Sequence, residues 1–297
     1  MINNFDQLLT KVKEIENKII VIAAAHTESV LDAAIMAKNK NIADSILVGN
    51  AVFINDHLKK AKISPDTFRI IDTGDDLNLA AQTAVEIIRN GEAHLILKGI
   101  CDTGTLLKAV LSKEKGLRTG RVMSDVLVYE TPEKLIMMGD GGFIPVPTLE
   151  DKISILNNCV KVAQRLGNDM PKAAILTHSE KVNTKIKSTV DAAKIAELNR
   201  DGLITGCIVD GPLALDNAIS MDSLKIKGID SPVAGDADIL VLPNIEAANI
   251  FGKSLMYYCK FKVAHVVLGA KVPILIASRA ADAATKMRTM ALGIICS

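Results

Sequence analysis

Lys18-Ile19-Ile20-Val21-Ile22-Ala23-Ala24 is an unbroken apolar run behind a single lysine. A helix-patterned segment, Glu28–Lys40, separates it from a second apolar run, Ser45–Val48. A strand without alternation is covered on both faces, and two such strands joined by a helix make a parallel βαβ unit. The pattern extends in both directions. Upstream, Phe5, Leu8, Leu9, Val12 and Ile15 recur at helical spacing. Downstream, helix Val52–Ala61 leads to strand Phe68–Ile71, and helix Asp76–Asn90 leads to strand His94–Leu97. This repetition predicts an α/β fold with mainly parallel sheets.

The repetition breaks at Val122–Tyr129 and Lys134–Met138, joined by Glu130-Thr131-Pro132-Glu133, which reads as an antiparallel hairpin. Gly139-Asp140-Gly141-Gly142 and Pro145-Val146-Pro147 follow and read as a hinge. Alternation then resumes: helix Leu149–Arg165, strand Ala173–Leu176, helix Val190–Asn199, strand Ile204–Val209, strand Ile239–Leu242, helix Ile245–Tyr258, strand Ala264–Leu268 and strand Ile274–Ala277. A terminal helix is expected over Ala280–Met290. A chain of 297 residues accommodates two such lobes with a cleft between them.

Composition removes several functions. A net charge of +1 gives no electrostatic footprint for nucleic acid, so any anion must be held by local basic groups. Aromatic residues are 3% and Trp is absent, which argues against base-stacking or sugar-stacking platforms. Five dispersed cysteines with no Cys-x-x-Cys suit a reducing compartment rather than a disulfide framework. Met1-Ile2-Asn3-Asn4-Phe5-Asp6 has no basic segment followed by an apolar run, so no signal peptide is expected. No apolar run approaches the ~18 residues of a membrane span. A cytoplasmic protein is expected.

Three segments carry candidate chemistry. Pro273-Ile274-Leu275-Ile276-Ala277 ends abruptly in Ser278-Arg279. Strand tips of open α/β sheets bind ligands, and a hydroxyl beside a guanidinium donates several hydrogen bonds to a phosphate or oxyanion. The plainer alternative is that Ser278 caps a helix and Arg279 is solvated. Gly99-Ile100-Cys101-Asp102-Thr103-Gly104-Thr105 has the glycine spacing of a phosphate loop, but Thr105 stands where the lysine belongs, so a nucleoside triphosphatase is disfavoured. It remains a plausible anion seat or an ordinary βα turn. Lys113–Arg121 is a basic loop with two glycines, suited to a polyphosphate or simply solvated. Asn244 follows strand Ile239–Leu242 and either lines a cleft or caps the next helix. The histidines lack metal-ligand spacing, and His26 and His178 read as loop hydrogen-bonding residues. No Gly-x-Ser-x-Gly elbow or Gly-x-Gly-x-x-Gly fingerprint occurs.

Taken in order, Leu97-Lys98-Gly99, Gly211-Pro212-Leu213-Ala214-Leu215-Asp216, Ser231-Pro232-Val233-Ala234-Gly235, Pro243-Asn244, Ala248-Asn249-Ile250 and Ser278-Arg279 resemble the phosphate acetyl/butyryltransferase family over almost the whole chain. Lys115–Gly120 resembles the butyryl branch more than the acetyl branch. The resemblance implies a two-domain fold of the isocitrate/isopropylmalate dehydrogenase type. Residues 1–140 plus 275–297 would form the first domain and 141–274 the second, in a homodimer or larger homo-oligomer. It also implies transfer of a short acyl group, butyryl favoured, between coenzyme A and inorganic phosphate. Coenzyme A is then a substrate, and no permanently bound cofactor or metal is expected.

Carried onto this chain, the resemblance places Ser278 and Arg279 at the reacting centre. Arg279 takes the phosphoryl charge and Ser278 a hydrogen bond to the carbonyl or leaving oxygen. Acetyl-type members carry a catalytic Asp where this chain has Thr285. Asp282 is the nearest carboxylate and would share a helical face with Ser278, making it the candidate base. Lys98, Gly99, Thr103, Lys108, Arg118, Arg121, Asn244 and Asn249 are the candidate substrate-binding residues. Acetyl-type members carry an arginine in the helix after the Gly99 loop, where this chain has Leu106-Leu107-Lys108, and Lys108 is the substitute point charge. Cys101 and Cys159 are read as packing residues. A non-catalytic binding protein for coenzyme A or acyl phosphate, and a decarboxylating dehydrogenase of the same general fold, are the competing readings.

Overall fold

In the computed structural model, which describes residues 1–297, α1 (Phe5–Lys11) leads into β1 (Ile19–Ala23), whose Ile20, Val21, Ile22 and Ala23 have no exposed surface. β1 lies between two parallel neighbours, as that burial requires. The chain continues through α2 (Glu28–Asn39), β2 (Asp44–Gly49), α3 (Ala51–Lys60), β3 (Arg69–Asp72), α4 (Leu77–Arg89), β4 (Leu95–Lys98) and α5 (Thr103–Val110). Asp76 starts α4 by accepting from the Asn78 and Leu79 N–H groups, both at 2.9 Å. Ala80, Ala81, Ala84, Val85, Ile87 and Ile88 then form its buried stripe.

Val122–Lys262 carries β5 (Ser124–Glu130), β6 (Leu135–Gly139), α6 (Leu149–Arg165), β7 (Lys172–Leu176), α7 (Lys187–Arg200), β8 (Ile208–Leu213), α8 (Leu215–Ile219), α9 (Met221–Lys227), β9 (Ile239–Val241) and α10 (Ile245–Tyr257). Together with Met1–Asn4 it forms one compact unit. Its strands run in the order β5-β6-β9-β7-β8, antiparallel at β5–β6 and parallel from there on. Thr148 and Asp151 form a reciprocal capping box at the start of α6.

The chain then adds β10 (Val263–Leu268), β11 (Ile274–Leu275) and α11 (Ala283–Ile295) to the first elements. Phe5–Arg121 and Val263–Ser297 make the other unit, with strand order β3-β2-β1-β4-β11-β10. All its neighbouring strands are parallel except β10 and β11. β11 pairs with β4, Ile274 opposite Ile96 and Leu275 opposite Leu97. Each of Ile20, Ile22, Leu95 and Leu97, fully buried here, contributes roughly 1.5–3 kcal/mol. α11 packs tightly behind these strands at Gly293, where an added Cβ would come within 2.5 Å of Leu275 and 2.8 Å of Leu95.

Three expectations shift. The units divide at 121/122 and 262/263 rather than at 140/141 and 274/275. The β5–β6 hairpin belongs with 122–262 because β6 makes a parallel ladder with β9. The strand expected over Ile204–Val209 is instead β8, Ile208–Leu213. The Asn199 amide donates to the carbonyls of Ile204 and Cys207, holding that stretch as a loop, and Gly206 sits at φ 76°. The hinge at Gly139–Gly142 is fastened. Asp140, only 5% exposed, accepts from the backbone N–H of Asp125, Gly142, Phe143 and Ile144.

Candidate active site

Because β4 and β11 are adjacent and parallel, Lys98-Gly99 and Ser278-Arg279 leave neighbouring strands at the same end. Gly99 is required by close approach. A Cβ there would lie 2.0 Å from the Ala24 carbonyl oxygen and 2.7 Å from that of Ala23. The Gly99 and Ile100 N–H groups extend the β1–β4 ladder to those two carbonyls, so neither is left for a ligand. The start of α5 is likewise occupied. Asp102 accepts from the Thr105 N–H at 2.8 Å and from the Thr105 hydroxyl at 2.8 Å, placing a carboxylate where a bound anion would sit. Thr103 is the first residue of α5 and is half-buried.

Lys98 is different. Its side chain is 4% exposed and Nζ donates to the carbonyls of Gly99 (3.2 Å) and Cys101 (2.9 Å). It is in no ion pair. Burial lowers its pKa; Arg279 adds to that effect, while Cys101 and Asp102 oppose it. Arg279 follows β11, the strand beside β4, at the same end of the sheet as Lys98. Cys101 is fully buried with a pKa raised mainly by burial, and its Sγ lies 3.8 Å from the Ala23 carbonyl oxygen.

Ser278 and Arg279 are exposed and precede the helix. The terminal helix starts at Ala283, not Ala280, and its cap is Asp282 rather than Ser278. Residues 278–281 form a turn in which the Ser278 hydroxyl accepts from the Ala280 N–H and the Ser278 carbonyl from the Ala281 N–H. Ser278 and Asp282 thus share no helical face. Asp282 accepts from the Thr285 N–H at 2.7 Å. Its pKa is lowered, first by the Thr285 hydroxyl and N–H, then by Arg288 and Lys286, against the opposing effect of burial. Thr285, at the acetyl-type Asp position, is buried and its hydroxyl accepts from Arg288 at 2.7 Å.

Lys286 lies one residue on, 3% exposed. Its Nζ donates to the Ala281 carbonyl and to the Ser29 hydroxyl in the first turn of α2. It too is in no ion pair. Burial lowers its pKa, Lys98 adds to that, and Asp282 opposes it. Nothing in the motif reading singled it out. The available signal was a lysine inside a helix that is apolar nearly all round, between Thr285 and Met287.

The basic loop is anchored rather than free. Leu117 is fully buried and bonded through its N–H to Val110 and through its carbonyl to Lys271. The Thr119 hydroxyl donates to the Gly269 carbonyl, and Arg121 reaches back to that hydroxyl. These bonds tie Arg118 and Arg121, both exposed, to the β10–β11 turn. Lys108, in the last turn of α5, instead faces an open groove of about 550 Å³ with Gln82, Glu86, Arg89 and Lys115. Asn244 and Asn249 belong to the other unit. Asn244 caps α10 by accepting from the Ala247 N–H at 2.9 Å, and Asn249 donates to the Gly141 carbonyl at 3.0 Å. His26 accepts from the Asn50 N–H, a local structural bond. No group of three or more His, Cys, Asp or Glu side chains has metal-holding geometry.

A buried ammonium on the strand beside the one that ends in Ser-Arg is a geometry for anionic substrates. The family model described as phosphate acetyl/butaryl transferase matches residues 4–83 and 75–294. The chain belongs to this family. It is 42% identical over 294 residues to a phosphate butyryltransferase from Clostridium beijerinckii, covering 98% of this chain and 97% of that one. It is 39% identical over 293 residues to a phosphate acetyltransferase from Thermotoga maritima, covering 98% and 99%. A branched-chain phosphotransacylase from Enterococcus faecalis V583 superposes with a TM-score of 0.83 at 29% identity, over 94% of this chain and 98% of that one. The α/β fold with mainly parallel strands expected from the sequence is therefore present, and it is shared with that phosphotransacylase. No helix is long and apolar enough to cross a membrane.

Proposed function

We propose that this chain transfers a short acyl group, butyryl favoured, between coenzyme A and inorganic phosphate, without a permanently bound cofactor. The observation that carries the reading is full-length relatedness at 42% identity to a phosphate butyryltransferase. The meeting of Lys98 with Ser278-Arg279 at adjacent strand tips supports it.

In one direction the coenzyme A thiolate attacks the acyl-phosphate carbonyl carbon. The carbon–oxygen bond to phosphate breaks and the thioester forms. The thiol gives up one proton and the departing phosphate takes up one, so the proton balance closes on the substrates. Protein groups then have two tasks, holding the phosphoryl charge and stabilising the developing oxyanion. Arg279 and Lys98 serve the first, and the exposed Ser278 hydroxyl serves the second. Asp282 is read as the helix cap, because a carboxylate with a lowered pKa and a committed oxygen is a poor acceptor for a thiol proton. Arg118 and Arg121, on a loop anchored to the β10–β11 turn, suit the phosphates of coenzyme A. The enzyme is read as a cytoplasmic homodimer or larger homo-oligomer.

Relatives of nearly equal identity carry butyryl and acetyl names. One methylene is worth roughly 1 kcal/mol or slightly more, so overlapping acyl substrates are expected. The test follows free-thiol release from butyryl-CoA and acetyl-CoA, with and without phosphate. Phosphate-dependent release, faster with butyryl-CoA, is expected. If no short acyl-CoA gives phosphate-dependent release, the transfer reading is wrong.

A further inference from the structure

Lys286 is badly placed for stability alone. It belongs to the second turn of α11, and its ammonium bends back to the Ala281 carbonyl just before that helix. Its other bond is to Ser29, in the first turn of α2. Helix N-termini repel cations, and this cation meets two of them. It is 3% exposed and no carboxylate forms an ion pair with it. Lys98 and Lys286 are close enough for Lys98 to disfavour the charge on Lys286, and Arg279 in turn disfavours the charge on Lys98. Asp282 favours the charge on Lys286, and Cys101 and Asp102 favour that on Lys98. Both carboxylates, however, are committed to capping their helices and form no ion pair with either lysine, so neither buried ammonium has a bonded counter-charge.

The hydrogen bonds are also incomplete. An ammonium has three N–H donors. Lys98 uses two, on Gly99 and Cys101, and Lys286 uses two, on Ser29 and Ala281. Each buried lysine has one donor over, and Arg279 nearby contributes an exposed guanidinium. Such donors suit a compact dianion with three terminal oxygens better than the extended diphosphate of coenzyme A.

We propose that Lys286 closes a phosphate seat with Lys98 and Arg279, so that the phosphoryl group of the acyl phosphate, or inorganic phosphate in the reverse direction, is the missing counter-charge of this buried pair. The proposal rests on the acyl-transfer reading for its substrate, but the seat itself is a binding site that can be tested without turnover. Lys286 is a binding residue here, distinct from the hydroxyl and guanidinium that precede it in the chain.

The experiment measures thermal midpoints and phosphate affinity for wild type and Lys286→Met, with inorganic phosphate and coenzyme A as separate ligands. Without ligand the variant is expected to melt at or above the wild-type temperature, since a buried unpaired charge has gone. Its phosphate dissociation constant rises by about 10- to 100-fold, the loss of one charge-assisted hydrogen bond. Stabilisation by coenzyme A persists, and in turnover the phosphate KM rises while the butyryl-CoA KM does not. A variant that melts lower yet binds phosphate as wild type does overturns the proposal and makes Lys286 a brace between α2 and α11. Loss of coenzyme A binding with phosphate binding intact overturns it as well. On wild-type protein, phosphate should slow carbamylation of Lys286 by cyanate, read by peptide mass; equal rates refute the seat even if the variant does not fold. Absence of phosphate-dependent thiol release from the wild type would sink the transfer reading instead, leaving the binding result to stand separately.

Discussion

Replacing Asp282 with asparagine and with alanine separates a helix cap from a catalytic base. Asp282 holds the Thr285 N–H at 2.7 Å, and the turn that presents Ser278 and Arg279 ends on it. Asparagine caps nearly as well as aspartate, whereas alanine loses about 1 kcal/mol. For a protein of this size that is a fall of about 2–4 °C in thermal midpoint. Asparagine forfeits only the charge at the helix N-terminus, a few tenths to about 1 kcal/mol. On activity the two roles diverge sharply. A lost general base lowers turnover by about 10²–10⁴-fold in both variants. A lost cap leaves Asp282→Asn within a few-fold of wild type and harms Asp282→Ala more, because the turn carrying Ser278-Arg279 loosens. The assay is butyryl-CoA thiol release at saturating phosphate, alongside thermal unfolding of each variant. An Asp282→Asn enzyme that melts like wild type but turns over at least a hundredfold more slowly would refute the cap assignment. The lowered pKa of Asp282 adds a check. The charged cap stabilises throughout the neutral range, and its contribution fades only as pH falls through a value below the ordinary carboxylate range.

Other perturbations follow from the same contacts. Gly99→Ala drives a methyl into two backbone carbonyls, the nearer at 2.0 Å; a loss at or beyond the upper end of about 1–3 kcal/mol is expected in chemical unfolding, and unchanged stability would contradict the packing described. Asp191 forms ion pairs with Lys152 at 2.8 Å and Lys187 at 2.7 Å, and Lys152 and Asp191 are both buried. Asp191→Asn strands the Lys152 charge and should lower stability by about 3–5 kcal/mol, and adding Lys152→Met should restore much of it in urea titrations. Asp140 has its pKa pushed up to about 6, by burial first and Asp125 second. Its folded state therefore holds the proton more tightly than the unfolded chain. Stability should fall as pH rises from about 4 to 6, by up to about 3 kcal/mol from this group; Asp140→Asn should remove that part of the slope, and identical pH profiles would count against it.

The parallel strands were legible because a two-sided burial requirement writes itself as an unbroken apolar run, as in β1 and β4. The hairpin was legible from its polar turn, but its allegiance was not. Which unit owns β5 and β6 depends on the β6–β9 ladder, a pairing between segments far apart in the chain. β8 was misplaced because the side chain of Asn199 holds Ile204–Cys207 out of the strand, and no periodicity records that. At the site, Ser278-Arg279 stood out by ending an apolar run, and Lys98 only through the family resemblance of Leu97-Lys98-Gly99. The end of α11 facing them did not. Ala280–Asp282 has acceptable helical composition, and only the Asp282–Thr285 bond fixes the boundary. Lys286 escaped because a lysine in a helix is ordinarily solvated; its burial is set by α11 lying against β4 and β11.

The position of β11 between β4 and β10 also sets an order of assembly. A ribosome finishes β4, and with it Lys98, long before Ser278 and Arg279 exist, and all of Val122–Lys262 is made in the interval. Until β11 arrives, one side of β4 has no strand partner, and Ile96 and Leu97 lack the neighbours that bury them. The inserted unit can complete its own sheet meanwhile, since domains fold as they emerge. The corner formed by Lys98 and Ser278-Arg279 is thus the last part of the first unit to form, and a nascent chain stalled before Ile274 would hold one finished unit and an open sheet edge.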